Sequence, residues 1–138
     1  MGNEESSIRL LIADDHALVR SGLRSMLERE PGFEIIGEAE DGREAVELCR
    51  SLRPDLILMD VRMPRMDGLE ATRTIKQESP EIGVLMVTMH ENPDYMLEAI
   101  KAGAAGYVLK DAPLDELITA ARRVVDGEPS NHQASSLN

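Results

Sequence analysis

The chain has no tryptophan, one phenylalanine and two tyrosines, so aromatics make up only 2% of its 138 residues. There is no aromatic platform on which nucleobases could stack, and the core must be aliphatic, drawn from Leu, Ile, Val, Ala and the eight Met. Cysteine is just as scarce. The lone Cys49 cannot form an intramolecular disulfide, and the sequence shows no charged-then-apolar leader and no apolar run of about 18 residues. These absences predict a protein of the reducing cytoplasm without a membrane segment. Positive charge is short as well: 15 Lys and Arg face 26 Asp and Glu, a net charge of -11. That sign repels phosphate backbones, so this segment is not expected to bind nucleic acid itself, and cations are the better partners.

What is present has globular composition, 42% hydrophobic and 30% charged, on a length that fits one domain. Residues 1–7 are polar and aperiodic and read as a tail. From residue 8 short apolar runs alternate with amphipathic stretches: "IRLLIA", "FEIIGEA", "DLILM", "GVLMVT" and "AGYVLK" read as strands, and each is followed by helical periodicity. The first helix carries Val19, Leu23, Met26 and Leu27 on one face and stops by Pro31 and Gly32. In the second, Ala45, Leu48, Cys49 and Leu52 form the stripe, which makes Cys49 core filler. The third runs from about Gly68 to Glu78. The fourth opens on Asn92 as cap with Pro93 in its first turn and closes at Gly103. The fifth starts near Pro113, turns Leu114, Leu117, Ile118, Ala121, Val124 and Val125 inward, and ends at Gly127. Five strand-helix units with near-continuous apolar strands predict an α/β domain over 8–127: a doubly wound, five-stranded parallel sheet covered on both faces. Residues 128–138 are polar and turn-rich and read as a linker or tail.

In such a sheet ligands sit beyond the carboxyl ends of the strands. Strand one ends in Asp14 and Asp15, strand three in Asp60, strand four in Thr88 and strand five in Lys110. Each alone has a plain structural reading, because Asp caps helices, Thr suits strands and Lys ends many elements. Together they collect at one edge. Three carboxylates crowded there repel one another, and a divalent cation resolves the conflict. Hard oxygen ligands without His or Cys favour Mg²⁺, which binds one or two carboxylates together with phosphate oxygens. With Lys110 and the Thr88 hydroxyl as donors to a phosphoryl group, the set suits phosphoryl transfer onto a carboxylate nucleophile. Asp60, ending a fully apolar strand, is the expected acceptor, and Asp14 and Asp15 are the paired metal-binding acids.

The ordered stretches "LIADDHALV", "DLILMDVRMPRMDGLEA", "VLMVTMH" and "GYVLKDAP" resemble the receiver domain of bacterial two-component response regulators, from about Ile8 to Gly127. That resemblance implies a flavodoxin-like fold with strand order 2-1-3-4-5. It implies that Asp60 takes phosphate from a sensor histidine kinase, and that Asp15, Asp60 and the main-chain carbonyl of Arg62 ligate Mg²⁺ while Asp14 acts mainly through water. Thr88 would turn to the new phosphoryl group, Lys110 would pair with its charge, and Tyr107 would rotate inward as Thr88 moves. "DDHALVRSGLRSML" and "GAAGYVLKDAP" further resemble the LuxR-type subgroup, whose receivers precede a helix-turn-helix domain. Contact with DNA would then belong to a C-terminal domain outside these residues, and a homodimer could form on phosphorylation. The family often has a proline, commonly cis, directly after the lysine; here Asp111 follows Lys110 and the proline is Pro113, so a cis bond does not carry over.

Self-catalysed phosphoryl uptake and loss in a signalling domain, not turnover by an enzyme, is the first expectation. Two other readings stay open. A Mg²⁺-dependent phosphohydrolase with an Asp nucleophile usually needs a second acid two residues on, where this chain has Arg62, and a cap for which it has no spare segment. A phosphate-independent interaction module would not need the full set of acids, Thr and Lys. His16 and His90 flank the site and read as rim residues, since imidazole is a poor Mg²⁺ ligand. Arg20, Arg24, Arg122 and Arg123 on the first and last helices read either as a dimer surface or as solvated helix faces.

Overall fold

Strands β1 (Ile8–Ala13), β2 (Phe33–Ala39), β3 (Leu56–Met59), β4 (Gly83–Thr88) and β5 (Gly106–Leu109) alternate with helices α1 (Ala17–Glu28), α2 (Gly42–Leu52), α3 (Gly68–Glu78), α4 (Pro93–Ala102) and α5 (Leu114–Val125). The computed structural model describes residues 7–89 and 92–127. All four strand pairings are parallel, in the order β2-β1-β3-β4-β5. The order reverses between β1 and β3, and this switch point brings the ends of two neighbouring strands together around one crevice.

Strand periodicity builds the two core layers. Leu11, Ala13, Ile57, Met59, Val84 and Met86 face α2, α3 and α4, whereas Leu10, Ile12, Leu56, Leu58, Leu85 and Val87 face α1 and α5. Central strands buried on both sides must be apolar throughout, which is why "LILM" has no polar position. Strand β2 lies on an edge and carries Glu34 and Glu38; one extra residue, Ile36, shifts its register against β1 between Leu10 and Leu11.

The caps follow the expected chemistry. Asp41 and Asp67 accept from the backbone N–H of Glu44 and Glu70, at 2.8 Å each, and Asn92 accepts from Asp94 at 2.9 Å. Gly103, at φ 108°, closes α4. Helix α1 ends at Glu28, before Pro31, in a turn where Glu30 donates to the Leu27 carbonyl. Two expected core positions lie outside it: Val125 and Met26 are 38% and 40% exposed, because each sits at the margin of its helix's buried stripe. Cys49 is buried in the α2 stripe as expected, and its thiol is pushed up to about 12 by burial.

Three of the four arginines assigned to a dimer surface or a solvated face are engaged within the chain. Arg20 and Arg24 bind Glu38 on β2, and Arg122 lies over the Phe33 ring, 5.1 Å from its centroid, and donates to the Pro31 carbonyl. They tie α1 and α5 to the edge strand; Arg123 is exposed. The described residues contain no cis peptide and no helix long and apolar enough to cross a membrane. Of the expected N-terminal tail only Ser7 is described, and residues 128–138 lie outside the described residues.

Candidate functional site

The strand ladder places the acids. Asp14 and Asp60 follow Ala13 and Met59, which are paired across β1 and β3, and the Asp60 N–H donates to the Ala13 carbonyl at 3.0 Å. Thr88, fully buried, ends β4, and its carbonyl accepts from the N–H of Lys110 at 2.8 Å, so the fifth strand end is brought to the same edge. Asp14 and Asp60 are 2% and 5% exposed, while Asp15 and His16 are exposed. Carboxylate oxygens of Asp14, Asp15 and Asp60 and a ring nitrogen of His16 lie within 4.8 Å of one another.

Lys110 is the cation of this cluster. Its Nζ lies 2.5 Å from Asp14 Oδ2 and 3.3 Å from Asp60 Oδ2. Asp14 Oδ1 accepts from the His16 backbone N–H at 2.9 Å, so both oxygens of Asp14 have partners in the chain. One ammonium does not balance the group. Burial holds the Asp60 carboxyl above its ordinary value, the charge of Asp14 adds to the effect, and Lys110 offsets only part of it. The cluster is short of positive charge, and its donors are mainly hard oxygens. Both properties fit a divalent cation such as Mg²⁺. Asp15, His16, Asp60, Arg62, Met89 and Lys110 line an open cleft of about 210 Å³ here.

The loop after Asp60 is held from both sides. The Gly68 N–H donates to the Val61 carbonyl at 2.8 Å, and a Cβ on Gly68 would overlap the Asp60 carbonyl oxygen. The Gly42 N–H donates to the Met66 carbonyl at 2.8 Å, which a Cβ on Gly42 would also overlap. Arg65, at φ 67°, sends Nε to Asp41 Oδ2 at 2.7 Å. The two Asp-Gly pairs therefore do more than cap helices: their glycines let α2 and α3 pack directly on the backbone of the acidic loop. The sequence alone pointed to Asn92 as a cap and to neither the Asp41 and Asp67 caps nor this role of the glycines, although the repeated "DG" before two helices was the visible sign.

Two contacts were not foreseen. Arg62 donates from Nη1 to the Tyr95 hydroxyl at 3.3 Å, linking the acidic loop to α4. His16 Nδ1 lies 3.3 Å from Asp14 Oδ1 and 3.2 Å from Asp15 Oδ1, so this rim residue touches both acids. Tyr107 is half-buried on β5, and its phenol is raised by burial first, then by Tyr95 and Asp60, which puts it within electrostatic reach of the cleft. His90 lies outside the described residues.

The profile described as the response regulator receiver domain matches residues 10–122. This chain belongs to that family. Among its relatives, this receiver domain is 43% identical to the transcriptional regulatory protein DegU of Brevibacillus brevis, over 97% of the chain and 57% of DegU. It is 43% identical to the response regulator GacA of Pseudomonas aeruginosa, over 88% of the chain and 56% of GacA. The receiver domain thus spans a little over half the length of these two relatives. A crystal structure of a LuxR-family two-component response regulator from Aurantimonas superimposes with a TM-score of 0.86 at 40% identity, covering 90% of this chain and 89% of that one. The family and the LuxR-type kinship expected from the motifs are those found, and the receiver fold has the expected strand order.

Proposed function

We propose that this receiver domain accepts a phosphoryl group on Asp60 from a sensor histidine kinase and relays its arrival to an output domain. The observation that carries the reading is the shared Lys110 ammonium between Asp14 and Asp60 in a cluster that still lacks positive charge. Asp14, Asp15, Asp60 and the Arg62 carbonyl are the groups that would hold Mg²⁺, which when bound supplies positive charge to phosphoryl oxygens. An Asp60 oxygen attacks phosphorus and the bond to the kinase histidine breaks, its electron pair leaving with the imidazole nitrogen. Lys110 offsets the charge of the acyl phosphate, and the Thr88 hydroxyl donates to it. Movement of Thr88 is followed by Tyr107, which turns a local charge into a change on the face of α4 and β5.

An apolar groove supports a protein phosphodonor. Val19, Leu23, Met26 and Met89 line it beside Lys110, and Leu18 is 85% exposed on the same helix, α1. A docked kinase helix would bury this surface and bring its histidine to the cleft. The greater length of the relatives supports an output domain in the full protein, and the LuxR-type kinship favours a C-terminal one of the helix-turn-helix kind, through which DNA would be bound in the cytoplasm. A homodimer formed on phosphorylation has a candidate surface in Leu97 and Ile100 on α4, 51% and 48% exposed. On this reading the domain spans 8–127, and the chain is a signalling domain with self-catalysed phosphoryl loss, not a metabolic enzyme.

Incubation with Mg²⁺ and acetyl phosphate should add one acid-labile phosphoryl group by intact mass, and Asp60→Ala should abolish it. An unlabelled wild type, or undiminished labelling of the variant, overturns the reading. Rapid multiple turnover of an unrelated phosphate ester would instead favour the phosphohydrolase.

A further inference from the structure

The structure assigns Arg20 of α1 as a positioning residue for the acid pair Asp14 and Asp15, held in place by Glu38 of the edge strand. This role rests on the reading of the acidic cleft as a Mg²⁺ site. Arg20 donates from Nη1 to the Asp14 carbonyl at 2.6 Å and from Nε to Glu38 Oε1 at 3.0 Å. Its side chain is only 13% exposed. On the other side of the same residue, the Asp14 N–H donates to the Ala39 carbonyl at 3.0 Å. Adjacent residues of β2 therefore hold both ends of Asp14, Ala39 directly and Glu38 through Arg20.

The Ala39 bond fixes the peptide before Asp14 and the Arg20 bond fixes the peptide joining Asp14 to Asp15, so the two together set the direction in which both carboxylates leave the backbone. The second Glu38 oxygen accepts from Arg24 Nη1 at 2.8 Å, so the oxygen that Arg20 uses is not shared with Arg24. A guanidinium presents its donors in a fixed planar fork that holds a carbonyl and a carboxylate in one geometry, whereas a lysine ammonium on its flexible stem does not reproduce that spacing. Supports of this kind behind metal-binding groups typically change metal affinity by about 10–100-fold when removed.

The sign of the effect separates positioning from simple electrostatics. Arg20 is a cation close to a cation site, so its field alone opposes metal binding, and removing it would tighten binding. Loss of positioning weakens binding instead. Mg²⁺ affinity is measured by calorimetry on wild type, Arg20→Met, Arg20→Lys and Arg24→Met, with thermal unfolding of each. Arg24→Met is the control that breaks contacts to Glu38 and Glu28 but leaves the Asp14 carbonyl bond. The expected result is binding about tenfold weaker in Arg20→Met and weakened in the same direction in Arg20→Lys, with Arg24→Met near wild type. Equal or tighter binding in both Arg20 variants, or the same loss in Arg24→Met, overturns the assignment. Arg20→Lys keeps the charge and decides the matter should Arg20→Met fail to fold. Wild type that binds no Mg²⁺ removes the metal reading itself, and this role with it.

Discussion

Gly68 packs so closely against Asp60 that a side chain of even one carbon would overlap the Asp60 carbonyl oxygen, and that carbon would also lie 3.0 Å from Met59 Cγ. Neither neighbour can yield easily, since one is backbone and the other belongs to a strand buried on both faces. Gly68→Ala should therefore shift the acidic loop and cost about 1–3 kcal/mol in urea unfolding. Phosphoryl labelling of Asp60 should slow in the same variant even at temperatures where it stays folded.

The ionised form of Asp60 is disfavoured by its surroundings in the chain, first by burial and then by Asp14. Asp60→Asn should accept no phosphoryl group and yet be more stable than wild type in chelator at neutral pH, by on the order of 1 kcal/mol. Excess Mg²⁺ should narrow the difference, since it stabilises the wild type by binding the folded state. Equal denaturation midpoints in chelator would contradict this.

Asp41 behaves in the opposite sense. The Glu44 backbone N–H, followed by Arg65, holds its carboxyl below the ordinary value of 3.8. A depressed carboxylate contributes stability above its unfolded pKa and loses it as pH falls through the folded value. Asp41→Ala should cost about 1 kcal/mol at neutral pH, and the gap to wild type should shrink as the pH is taken below about 4. Urea midpoints of the two proteins across that range give the test.

Cys49 is 3% exposed and its thiol is pushed up to about 12, so almost no thiolate exists at neutral pH. The folded chain should resist aromatic disulfide reagents and react fully once unfolded in urea. Fast labelling of the native protein would mean that α2 detaches from the sheet far more often than its packing implies.

Strand limits were readable where a strand buried on both faces has no freedom in its composition: "GVLMVT" is β4 as it stands, and "LILM" is β3. The acids, Thr88 and Lys110 were legible for a related reason, since a polar residue ending such a run stands out. The partners of Arg20, Arg24 and Arg122 were not legible. Helical periodicity shows that these side chains leave the apolar stripe, but only the packing of α1 against β2 brings Glu38 to Arg20 and Arg24, and only the reach of Arg122 from α5 brings it over Phe33 at the start of β2. The same applies to Gly42 and Gly68. A glycine after a capping aspartate looks like turn chemistry until the carbonyl it must admit, 24 residues away at Met66 for Gly42, is seen next to it.

The outer strands of the sheet bear on how copies of this chain can meet. Strand β2 interrupts its free edge with Glu34, Glu38 and the irregularity at Ile36, and β5 offers only Gly106–Leu109. Charged, irregular or short margins are poor templates for adding another strand, and they guard a protein against fibrous aggregation. Strand addition from a second copy is therefore disfavoured at both margins, which leaves the helical faces as the surfaces through which two copies would meet.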